Sequence, residues 1–296
     1  MLSSLDFFSP RPLQECITGK FELKIQPTSG IAPVPSTLEF YAPPVPGYYL
    51  DISRVKLRMI LEMKKQNGDD LGVGDNNTGV VCNIPDSLFS HVDILLNEKS
   101  VVPHPENYSY KSIIQLYSRA NNDSMRTHQG SCLAVVDDDA STTANNSAWA
   151  ARRAPFANSN RVEVITRLKN DICSVRNNLL LLDNVSFRLR LQLHPDRYYL
   201  WCAAAPADAF LKIIQAEVKL QYVRINPELA IGVDMMLSST NARYNYKSAQ
   251  VKTFTMGSNS KQLAIPITFS GSLPTLFLRN LRRNNGISRA SHSVAL

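Results

Sequence analysis

Residues 185–193 alternate without interruption: Val185, Phe187, Leu189, Leu191 and Leu193 fall on one side, and Ser186, Arg188, Arg190 and Gln192 on the other. A period of two sends successive side chains to opposite faces of a strand, so this run demands an antiparallel sheet with one buried face and one wet face. The signature recurs along the chain. Val55, Leu57, Met59, Leu61 and Met63 alternate with Lys56, Arg58 and Glu62, broken only by Ile60. Ala216, Val218, Leu220 and Tyr222 alternate with Gln215, Glu217, Lys219 and Gln221, and Phe21, Leu23 and Ile25 with Glu22 and Lys24. Shorter strands are predicted over 38–41, 92–96, 162–164 and 251–256, and Asn97-Glu98 predicts a hairpin returning through Val101 and Val102. Only two helices are predicted, one over 112–117 and one over 227–236 behind Asn226-Pro227. Many short alternating strands with few helices predict an all-β fold, an antiparallel jelly-roll sandwich, and argue against alternating strands and helices.

Composition sets the limits of this domain. Hydrophobic residues make up 44% of the 296 positions and charged residues 19%, enough apolar surface to repay the entropy of folding. Prolines at 10, 12, 27, 33 and 35 mark residues 1–36 as a Pro-rich N-terminal arm, and Pro43, Pro44 and Pro46 confine their passage to a loop or sheet edge. Residues 64–79 read as an exposed polar loop. The least regular stretch is 119–160, which holds Asp137, Asp138 and Asp139 and only Leu133, Val135, Val136 and Trp149 as apolar anchors. Part of the net charge of +7 sits in Arg279, Arg282, Arg283 and Arg289, beside Asn284, Asn285 and Gly286. That stretch, 279–296, is predicted to be a basic flexible tail able to make weak nucleic-acid contact, because cationic tails neutralise phosphates without a defined fold. Arg188 and Arg190 lack interleaved aromatics and read as a solvated sheet face.

The usual chemical signatures are missing. Cys16, Cys82, Cys132, Cys173 and Cys202 form no CxxC pair, and His91, His104, His128, His194 and His292 have no metal-ligand spacing, so reduced core thiols and no metal are expected. Ser87 and Ser90 lack the glycines of a nucleophile elbow and read as turn-forming residues; no phosphate-binding glycine loop occurs, and the three aspartates lack the spacing of a calcium loop. The expectation is a protein that is not an enzyme and takes no cofactor. The N-terminus carries no basic stretch followed by an apolar core, and no run reaches about 18 apolar residues. A non-secreted protein without a membrane span is expected.

Three segments in fixed order resemble the double-jelly-roll major capsid proteins of Polinton (Maverick) elements and adintovirus-like viruses. The first is Leu38-Glu39-Phe40 followed by Tyr49-Leu50-Asp51-Ile52; the second runs from Ile84-Pro85-Asp86-Ser87-Leu88-Phe89-Ser90 through His91-Val92-Asp93-Ile94 to Asn97; the third is Tyr108-Ser109-Tyr110-Lys111-Ser112. Weaker similarity continues through Arg153, Val162, Asp171 and the strand from Val185 to Lys252-Thr253-Phe254 and Leu273-Pro274-Thr275. His91 stands where the family has glutamine, and Ser109 where it has proline.

The resemblance implies a first jelly roll over 37–205 and only a partial second roll over 206–278, since family members continue well beyond Pro274-Thr275. It implies structural roles for Tyr49, Asp51, Ser87, Leu88, Phe89, Ser90, Val92, Asp93, Asn97, Tyr108 and Tyr110. It further implies a subunit that self-assembles into homotrimeric, pseudo-hexameric capsomers with other capsid components, located in a virion or in the host nucleus or cytoplasm. The alternative is a host-retained jelly-roll module that binds glycan or nucleic acid without assembling.

Overall fold

In the computed structural model the described residues are 16–28, 30–31, 36–72, 74–75, 77–119, 121–127, 129–135, 146–173, 180–202, 209–253, 279–281 and 293–295. The strands are β1 (Ile17–Ile25), β2 (Thr37–Ala42), β3 (Tyr49–Lys65), β4 (Thr78–Val80), β5 (Phe89–Leu96), β6 (Lys99–Ser100), β7 (Val162–Arg167), β8 (Leu180–Leu181), β9 (Phe187–Leu193), β10 (Leu200–Cys202), β11 (Ala209–Ile225), β12 (Arg279–Leu281) and β13 (Ser293–Ala295). The helices are α1 (Ile84–Ser87), α2 (Tyr108–Arg119), α3 (Asn122–Arg126), α4 (Ser147–Arg153), α5 (Asp196–Tyr199) and α6 (Pro227–Leu237).

Two antiparallel sheets face each other. One has the order β1-β11-β3-β7, with β8 also beside β3; the other has the order β2-β9-β5-β6. Along the chain β1, β3, β7 and β11 go to the first sheet, and β2, β5 and β9, which come between them, go to the second. The chain therefore crosses from sheet to sheet at almost every connection, and the fold is an all-β jelly roll. Alternation supplies the core: Phe40 on β2, Leu57, Met59, Leu61 and Met63 on β3, Val92 and Ile94 on β5, Leu189 and Leu191 on β9, and Val218 and Leu220 on β11 are all fully buried in one cluster. The β5–β6 hairpin turns on Asn97 and Glu98, both left-handed at φ 48° and 64°, the backbone whose twist matches the flanking strands.

The domain boundaries implied by the resemblance differ from these ladders. β1 lies inside the predicted N-terminal arm, yet pairs from end to end with β11. β11 lies inside the predicted second roll, yet sits between β1 and β3 and completes the first. The physical reason is packing: Phe21 of β1 stacks on Tyr222 of β11 at 5.2 Å, and Leu220 and Val218 meet the same core as Leu57. The remaining differences are local. The predicted strand over 251–256 has no strand structure at Val251, Lys252 or Thr253, and its other residues lie outside those described. The predicted irregular stretch 119–160 contains α3 and α4, and the predicted exposed loop 64–79 ends in the buried β4. In the predicted tail, Arg279 belongs to the short β12–β13 ladder. Arg282, Arg283 and Arg289 lie outside the described residues, as do Asp137, Asp138 and Asp139.

Both predicted helices form. α2 begins earlier than the predicted 112–117, at Tyr108. α6 starts at Pro227 behind Asn226, whose side chain accepts from the Glu228 amide as an N-cap. Residues 238–253 after α6 have no regular structure, but they are pinned at intervals: the Tyr244 hydroxyl donates to Leu180 O, the Tyr246 hydroxyl to Val101 O, and Asn107 Nδ2 to Val251 O.

Candidate functional site

One turn of helix separates β4 from β5, and it carries the most heavily bonded side chain in the second resemblance segment. Pro85 opens α1 with its fixed φ, and Asn83 before it takes the left-handed backbone at φ 57° that asparagine tolerates. This places the Asp86 carboxylate, fully buried, at the junction of α1, α2 and the end of β7. It accepts from the Tyr108 hydroxyl at 3.0 Å, the Ser112 hydroxyl at 2.8 Å and Asn83 Nδ2 at 3.0 Å; the Thr166 hydroxyl lies at 3.2 Å, and Lys169 Nζ at 2.7 Å. The Lys169 backbone amide donates to the Tyr108 hydroxyl, and Lys169 Nζ also reaches Ser112 Oγ. Burial, and then the Asp86 charge, hold the Tyr108 phenol well above its ordinary pKa, so it remains a donor at any physiological pH.

A second buried pair adjoins the first. Lys111 of α2 meets Asp171 at 2.6 Å with both side chains almost wholly out of solvent, and the Ala249 amide donates to the same carboxylate. Asn170 Nδ2 donates to Val92 O on β5. The polar node therefore ties α1 and α2 to both sheets and to the chain beyond α6. A buried carboxylate with this many partners costs little relative to apolar packing but defines one arrangement of the elements that meet there.

Beside the node, α2 presents Ser109 to β9 and α5. The Ser109 hydroxyl lies 3.0 Å from His194 Nε2 and 2.8 Å from the Tyr198 hydroxyl; the His194 ring stacks on Tyr198 at 3.6 Å, and Tyr110 meets Tyr198 edge-on at 5.8 Å. Ser90 donates to Gln192 O, and His91 Nδ1 contacts Ser90 Oγ. Burial, and secondarily the charge of His91, push the His194 pKa down to about 4. A serine next to a histidine is the start of a nucleophile, but this imidazole is a poor base at neutral pH, and the described residues place no carboxylate on it. The contact links α2 to the end of β9 and to α5.

That arrangement has a pH consequence. In the unfolded chain His194 takes up a proton near its ordinary value of 6.5, and in the folded chain only near 4. Its contribution to stability is therefore complete above pH 6.5 and is lost as the pH falls from 6.5 toward 4. The difference in urea-unfolding free energy between wild type and His194→Gln is expected to shrink across this window. A difference that stays constant from pH 7.5 to 4.5 would contradict this assignment of the histidine.

The other resemblance residues are spread along the roll. Ser87 donates to Cys82 O at 3.0 Å; Leu88, Phe89 and Val92 are core residues; Asp93 accepts from the Ser100 hydroxyl across the β5–β6 hairpin; and Asn97 Oδ1 accepts from the Ser186 amide at 2.8 Å. Tyr49 and Asp51 sit on β3 away from the node, where Asp51 accepts from the Ser53 amide and hydroxyl and lies 3.4 Å from Arg54. Arg188 meets Glu39 and Glu98, and Arg190 meets Glu39, which makes their strand face internally neutralised.

Three groups carry more structure than their sequence positions signal. Asp86 and Lys169 are brought together only by the fold, and fully buried Arg152 of α4 donates to Val80 O and Val135 O. The signals for α4 are visible in retrospect: Asn146 caps it by accepting from the Trp149 amide, and Arg152 and Arg153 lie in its last turn. The cavity bounded by Met63, Leu71, Thr78, Arg153 and Phe156 measures about 20 Å³, room for roughly one water and far below a small-molecule pocket. All five cysteines are free; burial pushes the Cys173 thiol up to about 12. No group of three or more histidine, cysteine, aspartate or glutamate side chains is placed to hold a metal ion among the described residues, and no described helix is long and apolar enough to cross a membrane.

No protein-family model and no curated protein sequence matches the chain. Among solved structures it is similar to the Sputnik virophage, with 12% identity over 77% of this chain and 52% of that one at a TM-score of 0.49. It is also similar to the Faustovirus major capsid protein, with 11% identity over 79% and 58% at 0.45, and to the mavirus major capsid protein, with 12% over 78% and 51% at 0.39. The chain spans about half the length of the chains it matches.

Proposed function

We propose that this chain is a non-catalytic, capsid-type structural subunit of the double-jelly-roll kind, of the Polinton and adintovirus group, that associates with copies of itself as homotrimeric capsomers and with other capsid components. The observation that carries this reading is the convergence of two of the three resemblance segments on the Asp86 node of a jelly roll. Their residues serve to hold the roll together rather than to line a pocket. On this reading the product works in a virion and is made in the nucleus or cytoplasm of its host.

The exposed apolar residues of α6 support an associating role. Leu229 is 45% exposed, Ile231 61%, Met235 70% and Met236 68%, directly after the strand that completes the roll. Grouped apolar side chains in water mark association surfaces.

Sedimentation analysis of the purified full chain over a range of concentrations tests the proposal. A concentration-dependent rise to a trimer mass, with ordered arrays or shells in micrographs at the upper end, is expected. A strictly monomeric chain at its highest soluble concentration would overturn it.

A further inference from the structure

The outer face of the first sheet carries a row of four cations, three of which form no ion pair among the described residues. Lys24 on β1 is the ladder partner of Lys219 on β11, Lys219 is the partner of Lys56 on β3, and Lys56 is the partner of Arg167 on β7. Four adjacent strands thus place four basic residues in one line across the sheet. All four point outward, because their sequence neighbours are inner-face residues: Leu23 and Ile25, Val218 and Leu220, Val55 and Leu57, Thr166 and Leu168. Lys24 and Arg167 are exposed, and Lys56 and Lys219 are half-buried.

Like charges directly opposite one another on neighbouring strands destabilise a sheet. Of the acidic residues of this face, Glu22 alone forms an ion pair with the row. Glu163 and Glu217 both turn to Arg58, at 2.6 and 3.3 Å, and Glu22 approaches Lys219 at 3.8 Å. Among the described residues no carboxylate forms an ion pair with Lys24, Lys56 or Arg167. With a strand spacing of about 4.8 Å the row is roughly 14 Å long and concentrates positive charge along one line of the sheet.

We infer that this row is a binding site for the phosphodiester backbone of duplex nucleic acid, separate from the basic stretch at 279–296 and independent of the capsid reading. The surroundings favour phosphate over an acidic protein segment. The neighbouring outward positions on these strands are Glu22, Glu217, Gln221, Arg58 and Ile165; Glu22 and Glu217 are engaged by Lys219 and Arg58, and Ile165 is the one apolar side chain among them, whereas a protein partner needs an apolar centre to its interface. No aromatic side chain interrupts the row, so the site reads charge and not bases.

The test uses the full chain and a short B-form DNA duplex titrated at several salt concentrations. Each neutralised phosphate contributes about 0.9 to the slope of log affinity against log salt, so combined Lys24→Gln, Lys56→Gln and Arg167→Gln is expected to flatten the slope by about 2.7 and to weaken binding on the order of 10²-fold at low salt. The same variant keeps or raises the thermal midpoint, since it removes like-charge opposition, which separates lost binding from lost folding. Parallel replacement of Arg279, Arg282, Arg283 and Arg289 by glutamine leaves the contribution of the row in place. Unchanged binding by the row variant, no binding by wild type, or equal competition by polyglutamate would each overturn the assignment.

Discussion

Asp86→Ala is expected to destabilise the roll by about 3–5 kcal/mol, because it leaves the mostly buried Lys169 charge without its partner and strands the buried donors around the carboxylate. The carboxylate is fully buried and is the common acceptor for Tyr108, Ser112 and Asn83 as well as the counter-charge for Lys169. Removing it strands a mostly buried cation and several buried donors at once, and each stranded buried donor costs more than the bond it loses. Equilibrium unfolding in urea reads the effect as a lower midpoint with an unchanged slope. The double variant Asp86→Leu with Lys169→Met is expected to regain only the part of the loss that comes from the Lys169 charge, since the Tyr108, Ser112 and Asn83 donors stay without their acceptor. A single variant within 1 kcal/mol of wild type would show that the node does not lock α1, α2 and β7 together.

The architecture was readable wherever the buried face of a strand is continuous. Leu57 to Met63 and Phe187 to Leu193 declare their strands through alternation, because each has one continuous apolar side that is buried in the core or packed against it. Alternation tells which face of a strand is buried but not which sheet it joins. That is why β11 is assigned to a second roll by resemblance and to the first by its ladders with β1 and β3. The choice depends on pairings such as Phe21 with Tyr222, residues about two hundred positions apart.

The site was less legible than the fold for the same reason. Asp86 stands in an apolar stretch beside a proline, which marks a buried helix start, but its counter-charge Lys169 and its neighbour Thr166 lie some eighty residues on. No spacing rule links them. His194 and Ser109 are likewise separated by 85 positions and meet only because α2 packs against the end of β9. The cation row was visible as single outward residues on separate strands, Lys24, Lys56 and Lys219 among them, and became a feature only through register. Conversely, α4 was hidden in a stretch dominated by polar residues, although its Asn146 cap and terminal arginines are local signals.

Trp149→Ala is expected to cost about 3–5 kcal/mol, the range for deleting a large buried aromatic side chain. Trp149 docks α4 on the β4–β10 pair: its ring N–H donates to Trp201 O, the Arg153 guanidinium lies 4.8 Å above its ring, and its indole rests against Gly79. A Cβ at Gly79 would come within 2.7 Å of the indole nitrogen, so Gly79→Ala alone is expected to cost about 1–3 kcal/mol through overpacking. Gly79 is the ladder partner of Trp201, which leaves the strand little freedom to retreat. If close approach is the reason for glycine here, the second substitution costs much less once the indole is gone. A double-mutant cycle in urea should then give a coupling of about 1 kcal/mol or more between positions 79 and 149. Strictly additive losses would mean that α4 is held by Arg152 and its carbonyl partners on Val80 and Val135, with the indole filling space that β4 does not sense.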